Sequence, residues 1–343
     1  MRLLNSCLSV ALLACSALLC SCEQDKAQQD PAPRQGRPRV GMVLYWSGDP
    51  FIAHIRKNIE QRLADKADLE VMFSENDQFL QDEQVHDFLN NKKVDALIVN
   101  LVDQQSGDHV VESARKHKLP VVFFNREPRL EVLKGYYGNA CYVGTIPEMA
   151  GKLQGDIIAE LMARHPEYDR NGDGKVQYVL FQGEADNPEA IGRTEHSIRT
   201  ALSHGVTMVQ LGDNYQCNWD REQARKSMRL VLATYGDSVE MVVSNNDTMA
   251  LGAIAALQEQ GCNRGDGGKY IPVIGVDAIP DAISAINKGH MSATVRQDGS
   301  KMAEAVAGTV LNALNGKDFL EGTGLEWDES GVAIRLPYER YVK

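Results

Sequence analysis

The stretch VEMVVSNNDTMALGA (residues 239–253) passes from a short apolar run, through a polar cluster, into a segment with helical spacing. A short apolar run bounded by polar residues indicates a strand buried on both faces. Asn and Asp are common at the start of a helix. The stretch therefore predicts a strand followed directly by a helix, with amide and carboxylate groups at the junction.

The same unit recurs along the chain from residue 39. Strands are predicted at 39–45, 69–75, 96–102, 120–125, 177–183, 207–213, 239–247, 272–278, 292–298 and 332–338. Segments with helical period lie between them, at 147–164, 220–234, 247–260 and 299–315. This alternation predicts an α/β fold with parallel sheets, and 343 residues are enough for two doubly wound, Rossmann-like domains.

Polar side chains stand just beyond several of these strands: Asp49, Asn125, Asn246, Asp277 and Gln297. In open α/β sheets, ligands bind beyond the carboxyl ends of the strands. Carboxylates and amides suit a neutral ligand rich in hydroxyl groups. Each of these residues could instead cap the following helix, but the set as a whole favours a polar binding cleft.

Composition excludes several other functions. The net charge is −11 and no basic stripe offsets it, so nucleic acid is not an expected partner. The GDGGKY segment at 265–270 is not a phosphate-binding loop, because Asn263 stands where the first glycine of that motif belongs. Glu189 and Asp277 could be imagined as a glycosidase pair, but nothing local suggests a raised pKa for either. The chain is therefore not expected to be an enzyme.

The first 22 residues have one charge and then an apolar run that ends in small residues, as in a secretory signal peptide. Leu19-Cys20-Ser21-Cys22 resembles a bacterial lipoprotein cleavage box, which makes Cys22 the expected lipid-bearing residue. The segment 12–15 also fits that box but would leave a very short apolar core, and an uncleaved anchor is a further alternative. Residues 23–37 are polar and Pro-rich, as expected of a flexible tether.

Beyond the leader, Cys141, Cys217 and Cys262 are odd in number and widely spaced, so we expect buried free thiols. DRNGDGKVQ, residues 169–177, begins like a calcium-binding EF-hand loop. Its acidic and amide residues are spaced by two, and a glycine follows. The twelfth position, however, is Leu180 rather than the bidentate Glu of that motif. The alternative is a metal-free turn held by side-chain hydrogen bonds.

Several motifs resemble the bacterial periplasmic galactose/glucose-binding proteins, which are type I periplasmic-binding proteins that serve sugar ABC transporters. The motifs are NLVD (100–103), PVVFFN (120–125), GEADNPEAIGR (183–193), VVSNNDTMALGA (242–253) and IGVDAIP (274–280). The resemblance covers residues 38–338 in the same order. It implies two domains that close on one hexose about a three-strand hinge. Its crossings are expected near Gly144–Thr145, Asp298 and Leu336–Pro337, with domains at 38–143 plus 299–335 and at 146–297 plus 338–343.

The resemblance also implies two sets of site residues. The sugar-binding set is Asp49, Phe51, Asn125, Asn187, Glu189, Arg193, Trp219, Asn246, Asp277 and Gln297, with Phe51 and Trp219 covering the two apolar faces of the pyranose. The calcium set is Asp169, Asn171, Asp173, Lys175 through its carbonyl, Gln177, and Glu240 as the missing carboxylate. Asn187, Glu189 and Gln297 stand where the family has His, Asp and Asn, which leaves the choice between D-glucose and D-galactose open.

The expected function is capture of a hexose and its delivery to an ABC transporter permease. The protein would be a monomer, lipid-anchored to a bacterial membrane on the periplasmic side, with a structural Ca²⁺. A sugar sensor of the same fold that signals to a chemoreceptor is the alternative. A transcriptional repressor core shares this architecture but is disfavoured by the secretion signal.

Overall fold

Two α/β lobes, each built on one mainly parallel sheet, form the part of the chain that the structure describes. The structure is a computed structural model, and it describes residues 36–342. The predicted signal peptide, with the lipid site Cys22, and nearly all of the predicted tether lie outside the described residues.

The N lobe is the unit around the first sheet, which has six strands in the order β12-β5-β4-β3-β1-β2. All of its strands pair in parallel. Residues Val40, Met42 and Leu44 of β1 join one core cluster while Val43 joins another, so β1 is buried on both faces. The strands are β1 Arg39–Leu44, β2 Asp68–Phe73, β3 Ala96–Val99, β4 Val121–Phe124, β5 Ala140–Gly144 and β12 Ala333–Arg335.

The C lobe is the unit around the second sheet, which has seven strands in the order β13-β11-β10-β9-β6-β7, with β8 beside β6. Its strands pair in parallel except β13, which is antiparallel to β11. The strands are β6 Val176–Gln182, β7 Met208–Gln210, β8 Tyr215–Gln216, β9 Met241–Ser244, β10 Val273–Asp277, β11 Ala293–Gln297 and β13 Tyr338–Val342.

Helices cover both faces of each sheet. The N lobe has α1 Pro50–Leu63, α2 Gln78–Asp87, α3 Gly107–Lys116, α4 Leu130–Lys134 and α10 Gly299–Leu314; the C lobe has α5 Pro147–Arg164, α6 Pro188–Ser203, α7 Arg221–Tyr235, α8 Asp247–Glu259 and α9 Pro280–Asn287. The connections reverse direction between β1 and β3 and between β6 and β9. Such switch points open a crevice at the carboxyl ends of the strands. The predicted doubly wound α/β fold is confirmed.

The chain passes between the two lobes three times. It leaves β5 for α5 through residues 145–146, leaves β11 for α10 through Asp298, and leaves β12 for β13 through 336–337. Because each lobe is completed by a segment from beyond a crossing, the crossings form one hinge region. The predicted boundaries of the two domains stay a prediction.

The three cysteines of the described residues lie in the core. Cys141, Cys217 and Cys262 are buried and free, as predicted. The Cys217 thiol lies 3.5 Å from the Ser227 hydroxyl, and burial raises its pKa to about 11, so it stays protonated and unreactive at neutral pH. Within residues 36–342, no helix combines the length and the apolar character that a membrane span needs.

Candidate functional site

Three of the predicted sugar residues are N-cap residues of helices at the boundary between the lobes. The Asp49 carboxylate accepts the Phe51 N–H at 2.8 Å at the start of α1, and its other oxygen accepts the Tyr45 hydroxyl at 2.7 Å. Asn187 caps α6 and Asn246 caps α8 in the same way. The capping role proposed as an alternative is therefore present at these positions. A cap also fixes the direction of the side chain, which a binding site requires.

Arg193 on α6 is the centre of a buried hydrogen-bond network. One terminal nitrogen donates to the Glu189 carboxylate at 2.8 Å and to the Tyr338 hydroxyl at 3.1 Å, and the other donates to the Asn245 carbonyl at 2.9 Å. Its side chain is only 4% exposed. Within the described residues, its Nε is buried without a hydrogen-bond partner. A bound group with an acceptor oxygen would satisfy that donor.

The network also ties the hinge to the site. The Thr145 hydroxyl lies 2.9 Å from the Tyr338 hydroxyl, and Gln297 donates to Thr145 at 3.3 Å. Thr145, Gln297 and Tyr338 belong to, or adjoin, the three crossings between the lobes. Gln297 also accepts from Arg193 at 3.4 Å. Residues that sequence analysis assigned to the sugar are therefore in contact with all three hinge segments.

Carboxylates outnumber cations around Arg193. Asp277 lies 3.9 Å from its guanidinium. Burial, with the charges of Asp247, Asp49 and Glu189, raises the pKa of Asp277 well above its ordinary value, although Arg193 opposes the rise. The expectation from the sequence that nothing raises the pKa of Asp277 was therefore wrong, because these acidic neighbours come from distant segments of the chain. An acceptor-rich site of this kind receives O–H groups and repels anions. Its chemistry suits a neutral polyhydroxylated ligand.

A cavity of about 250 Å³ lies between the lobes and brings together Phe51, Asp277 and Gln297. Phe51 comes from the N lobe, Asp277 from the C lobe, and Gln297 from the edge of a crossing. Three of the ten predicted sugar residues therefore line this cavity, whereas the other seven, including Arg193 and Trp219, do not.

Trp219 is held in a backbone conformation that a bulky residue rarely adopts, with φ of 63°. Its ring packs directly on Gly183, where a Cβ would stand 2.1 Å from it. The indole N–H donates to Glu184 at 2.9 Å, and the Arg193 guanidinium lies 5.8 Å from the ring. These contacts fix the indole beside the Arg193 network.

Arg126 and Glu184 form an ion pair that bridges the two lobes, and sequence analysis did not assign them to the site. Arg126 donates to both Glu184 oxygens, at 2.8 and 3.0 Å, and its guanidinium lies 3.7 Å from the centre of the Tyr45 ring. Glu184 also accepts from Asn187 and Trp219. Burial opposes its ionisation, but Arg126 and these hydrogen bonds outweigh burial and lower the pKa of Glu184. The pair links Asp49, through Tyr45, to the C lobe.

The side chains of two predicted sugar residues, Asn125 and Asn246, form hydrogen bonds with residues that were not predicted to bind the sugar. The Asn125 side chain accepts from Asn100 at 3.1 Å, and Asn246 accepts the Met249 N–H at 2.9 Å. Asn125 nevertheless immediately precedes Arg126 and has φ of 62°. Such conformations cluster at binding sites, where the surrounding structure holds them in place.

The loop 169–177 contains the turns expected of an Asx-rich segment. Asp169 accepts the Gly174 N–H at 2.9 Å, and Asp173 accepts from Gln177 at 2.9 Å. Glu240, the residue immediately before β9, accepts the Arg170 N–H at 2.8 Å. Glu240 therefore reaches the loop, as the resemblance implies.

The oxygen atoms of this loop are suitable ligands for a hard cation such as Ca²⁺. Gln177 Oε1 is a buried oxygen with no hydrogen-bond partner among the described residues. The oxygens of Asp169, Asp173 and Glu240 each accept N–H groups, but a carboxylate oxygen has a second lone pair for a metal. Across residues 36–342, no three His, Cys, Asp or Glu side chains are already gathered into a metal cluster. The loop would have to draw its carboxylates together around the ion.

Comparisons with known proteins identify the family. Residues 40–318 match the family described as periplasmic binding protein domain. The chain belongs to the periplasmic binding protein family. This is a family of solute-binding proteins, and the chain is accordingly a binding protein and not an enzyme.

Two similar proteins support this family, and a third shares the fold. The D-galactose/methyl-galactoside binding periplasmic protein MglB of Haemophilus influenzae is 35% identical over 302 residues, which cover 87% of this chain and 88% of that protein. A Bacillus halodurans ABC transporter solute-binding protein, solved with myo-inositol, is 26% identical with a TM-score of 0.72, over 90% of this chain and 96% of that one. An Actinobacillus succinogenes solute-binding protein, solved with D-allose, is 20% identical with a TM-score of 0.73, over 89% of this chain and 98% of that one. At that identity, the third supports the fold alone.

Replacing Glu184 by Gln tests the ion pair between the lobes. The change leaves the buried Arg126 without its counter-charge, so we expect the free energy of unfolding at neutral pH to fall by about 2–4 kcal/mol. Because the pKa of Glu184 is lowered in the folded state, its contribution is complete above its ordinary value of 4.5 and is lost as the pH falls below it. Thermal unfolding followed by circular dichroism should show a flatter acid limb for E184Q than for the wild type.

Glu112→Gln is the control for this measurement. Glu112 forms an exposed i,i+4 pair with Lys116, and such pairs contribute less than about 1 kcal/mol. If E184Q were no less stable than E112Q at neutral pH, or kept the wild-type acid limb, the bridging pair would not stabilise this arrangement of the lobes.

Proposed function

We propose that the chain captures a sugar between its two lobes and delivers it to the permease of an ABC transporter. The observation that carries this proposal is the buried Arg193, whose Nε lacks a partner among the described residues and whose neighbours are carboxylates. Such a site offers one donor and many acceptors to the rim of a sugar. Aromatic rings such as Phe51 and Trp219 suit the apolar faces of a pyranose.

The similar proteins support a neutral six-membered ring, and one of them is named for a hexose. The Haemophilus protein is named for D-galactose and methyl-galactoside, and the Bacillus protein was solved with myo-inositol. D-galactose and myo-inositol are both neutral six-membered rings rich in hydroxyl groups. We therefore propose D-galactose or D-glucose as the ligand.

Asn187, Glu189 and Gln297 are the positions that we propose set the preference between the two hexoses. Each already has a protein partner: Asn187 donates to Glu184 at 2.8 Å, Glu189 accepts from Arg193 at 2.8 Å, and Gln297 donates to Thr145 at 3.3 Å. A longer side chain at 189 or 297 moves the rim of the site by about one methylene. A hydrogen-bonding site rejects ligands that leave its buried groups unpaired.

Closure about the hinge would convert binding into a signal for the permease. A sugar that touches both lobes favours the closed arrangement by the difference in its affinity for the two states. Arg126 and Glu184 would add a protein contact that forms only when the lobes meet. One chain supplies both halves of the cleft, so a monomer suffices.

Calorimetric titration of the chain from residue 36, freed of bound sugar by unfolding and refolding, tests the proposed function. We expect 1:1 binding of D-galactose or D-glucose with micromolar or tighter affinity. Asp277→Asn should weaken binding by about tenfold to a hundredfold, because it replaces an acceptor oxygen with an N–H donor, and a buried polar group left unpaired costs about 1–3 kcal/mol.

Asp281→Asn is the matched control, because Asp281 is an exposed carboxylate in the first turn of α9. It should bind like the wild type. If the folded wild type bound neither hexose, the proposed ligand would be wrong. The variants Asn187→His, Glu189→Asp and Gln297→Asn would then show whether these three positions had redirected the cleft to another sugar.

We propose further that the 169–177 loop binds a structural Ca²⁺. The side chains of Asp169, Asn171, Asp173, Gln177 and Glu240 and the Lys175 carbonyl would hold it. Ca²⁺ accepts such a mixed oxygen set, whereas Mg²⁺ demands a smaller octahedron. The ion would neutralise the carboxylates and pin the loop to the residue before β9.

Thermal unfolding with and without calcium tests this site. Calcium at a hundredfold its dissociation constant stabilises the folded state by about 2.7 kcal/mol, so we expect the melting temperature to rise by several degrees and to fall with a chelator. Glu240→Gln should abolish most of that rise. Asp237→Asn should keep it, since Asp237 is a neighbouring exposed carboxylate outside the proposed ligand set. Equal calcium shifts in both variants would contradict the assignment.

We also propose that lipid on Cys22 tethers the protein to a membrane beside the permease. The support is the lipoprotein-like box at 19–22, and a bacterial lipoprotein cysteine carries more than one acyl chain, enough for stable attachment. Cys22→Ser should move the protein from the membrane fraction to the soluble fraction in bacterial cells. Cys15→Ser should leave it in the membrane fraction. The opposite result would place the lipid on Cys15.

A further inference from the structure

The turn after β10 has an unfavourable backbone conformation at a site residue. Asp277 has φ of 115° and Ala278 has φ of 58°. Neither is a glycine, so each is held in a region that its Cβ disfavours, at a cost of about 1–3 kcal/mol per residue. This turn sets the direction of the Asp277 carboxylate, so something outside it must keep it in place.

Asp247, the first residue of α8, contacts this turn. One carboxylate oxygen accepts the Ile279 N–H at 3.0 Å, and the Ala278 N–H lies near enough to the same carboxylate to favour its ionised form. The other oxygen accepts the Thr294 hydroxyl of β11 at 2.7 Å. One buried carboxylate therefore ties the start of α8 and strand β11 to the turn that follows β10.

The neighbouring strand leaves space for this carboxylate. A Cβ at position 275 would stand 2.1 Å from an Asp247 oxygen, so only glycine fits there. Glycine in the interior of a strand weakens the strand, and often marks a close approach by another group. The combination of Gly275, Thr294 and Asp247 is thus built around the carboxylate.

Helix capping does not account for Asp247. Asn246 supplies the cap of α8, by accepting the Met249 N–H at 2.9 Å. Burial raises the pKa of Asp247 to about 7, against the hydrogen bonds that favour its ionised form. A carboxylate in so unfavourable a place needs a role beyond stabilising one helix end, where an exposed acid would serve equally well.

We propose that Asp247 is a positioning residue, whose carboxylate holds the Asp277–Ala278 turn in the conformation that presents Asp277 to the ligand. This inference rests on the proposed function, in which Asp277 binds the sugar. Asp247 acts through the turn and touches no ligand itself.

The test compares Asp247→Ala and Asp247→Asn in the full chain. Ala removes every hydrogen bond from this side chain to the turn. Affinity for whichever of D-glucose and D-galactose the wild type binds more tightly should therefore fall at least tenfold. Asn keeps an oxygen for the backbone N–H groups, and its amide can donate to the Thr294 hydroxyl, so affinity should stay within about threefold. Val231→Ala is the stability control, because Val231 is a buried residue of α7 outside the site. It should lower the melting temperature without weakening binding.

Hydrogen exchange at the Ala278 and Ile279 amides provides a readout that needs no ligand. Exchange should accelerate at least tenfold in Asp247→Ala, more than in Val231→Ala, and stay near the wild-type rate in Asp247→Asn. If Asp247→Ala does not fold, Asp247→Ser replaces it with the same expectation, since its hydroxyl is too short to reach the turn.

The outcomes separate the two proposals. If the wild type binds neither hexose, the proposed function fails, while the exchange rates still decide whether Asp247 holds the turn. Unchanged exchange in Asp247→Ala would overturn the inference. So would a loss of affinity no larger than that of an equally destabilised Val231→Ala.

Discussion

Arg193 places a permanent positive charge among buried carboxylates, at the point where the three hinge segments meet. Its guanidinium bonds to Glu189 and Tyr338, and its charge offsets that of Asp277. Without it, several acidic groups would share a site with little water, and ionising all of them would be unfavourable. The same side chain touches hinge residues and proposed sugar ligands. The proposed ligand contacts and the hinge geometry therefore depend on one network.

The two lobes are held in this arrangement by different kinds of contact. One apolar cluster includes residues of both lobes, such as Phe51 and Trp219, and the ion pair of Arg126 and Glu184 also crosses the boundary between them. Burial of apolar area is not directional, but an ion pair is. The proposed closure would thus have a defined end point, set by the geometry of one buried pair and of the residues that share Glu184.

Much of the fold can be predicted from local patterns, because buried parallel strands appear in the sequence as short apolar runs and amphipathic helices as apolar residues with helical spacing. The helix predicted at 147–164 coincides with α5, and the polar residues after β1, β4, β9, β10 and β11 do stand at strand ends. Three strands, β5, β8 and β13, are missing from the predictions. β8 has only two residues, and β13, YERYV, has charged residues on an exposed edge, so neither has the apolar run of a buried strand. β5, ACYVG, is apolar and buried along its whole length, so the sequence did carry a signal for it.

The site was less predictable than the fold. Strand ends indicated Asp49, Asn125, Asn246, Asp277 and Gln297 but could not separate a helix cap from a ligand contact, and Asp49 and Asn246 do cap helices. The roles of Asn187, Glu189, Arg193 and Trp219 came from the resemblance to a family. Arg126 and Glu184 were missed because their pairing depends on the approach of two lobes that no local pattern describes. Their places, directly after Asn125 and within GEADNPEAIGR, are the only signal that the sequence offers.

A crystal structure of the protein grown with saturating D-galactose or D-glucose would test the central claim most directly, which is that one ligand joins both lobes. The account predicts density for a single hexose between Phe51 and Trp219, with its hydroxyl groups bonded to Asp49 from the N lobe and to Arg193 and Asp277 from the C lobe. A hexose bound to one lobe only, or outside the cleft that contains Arg193, would contradict it.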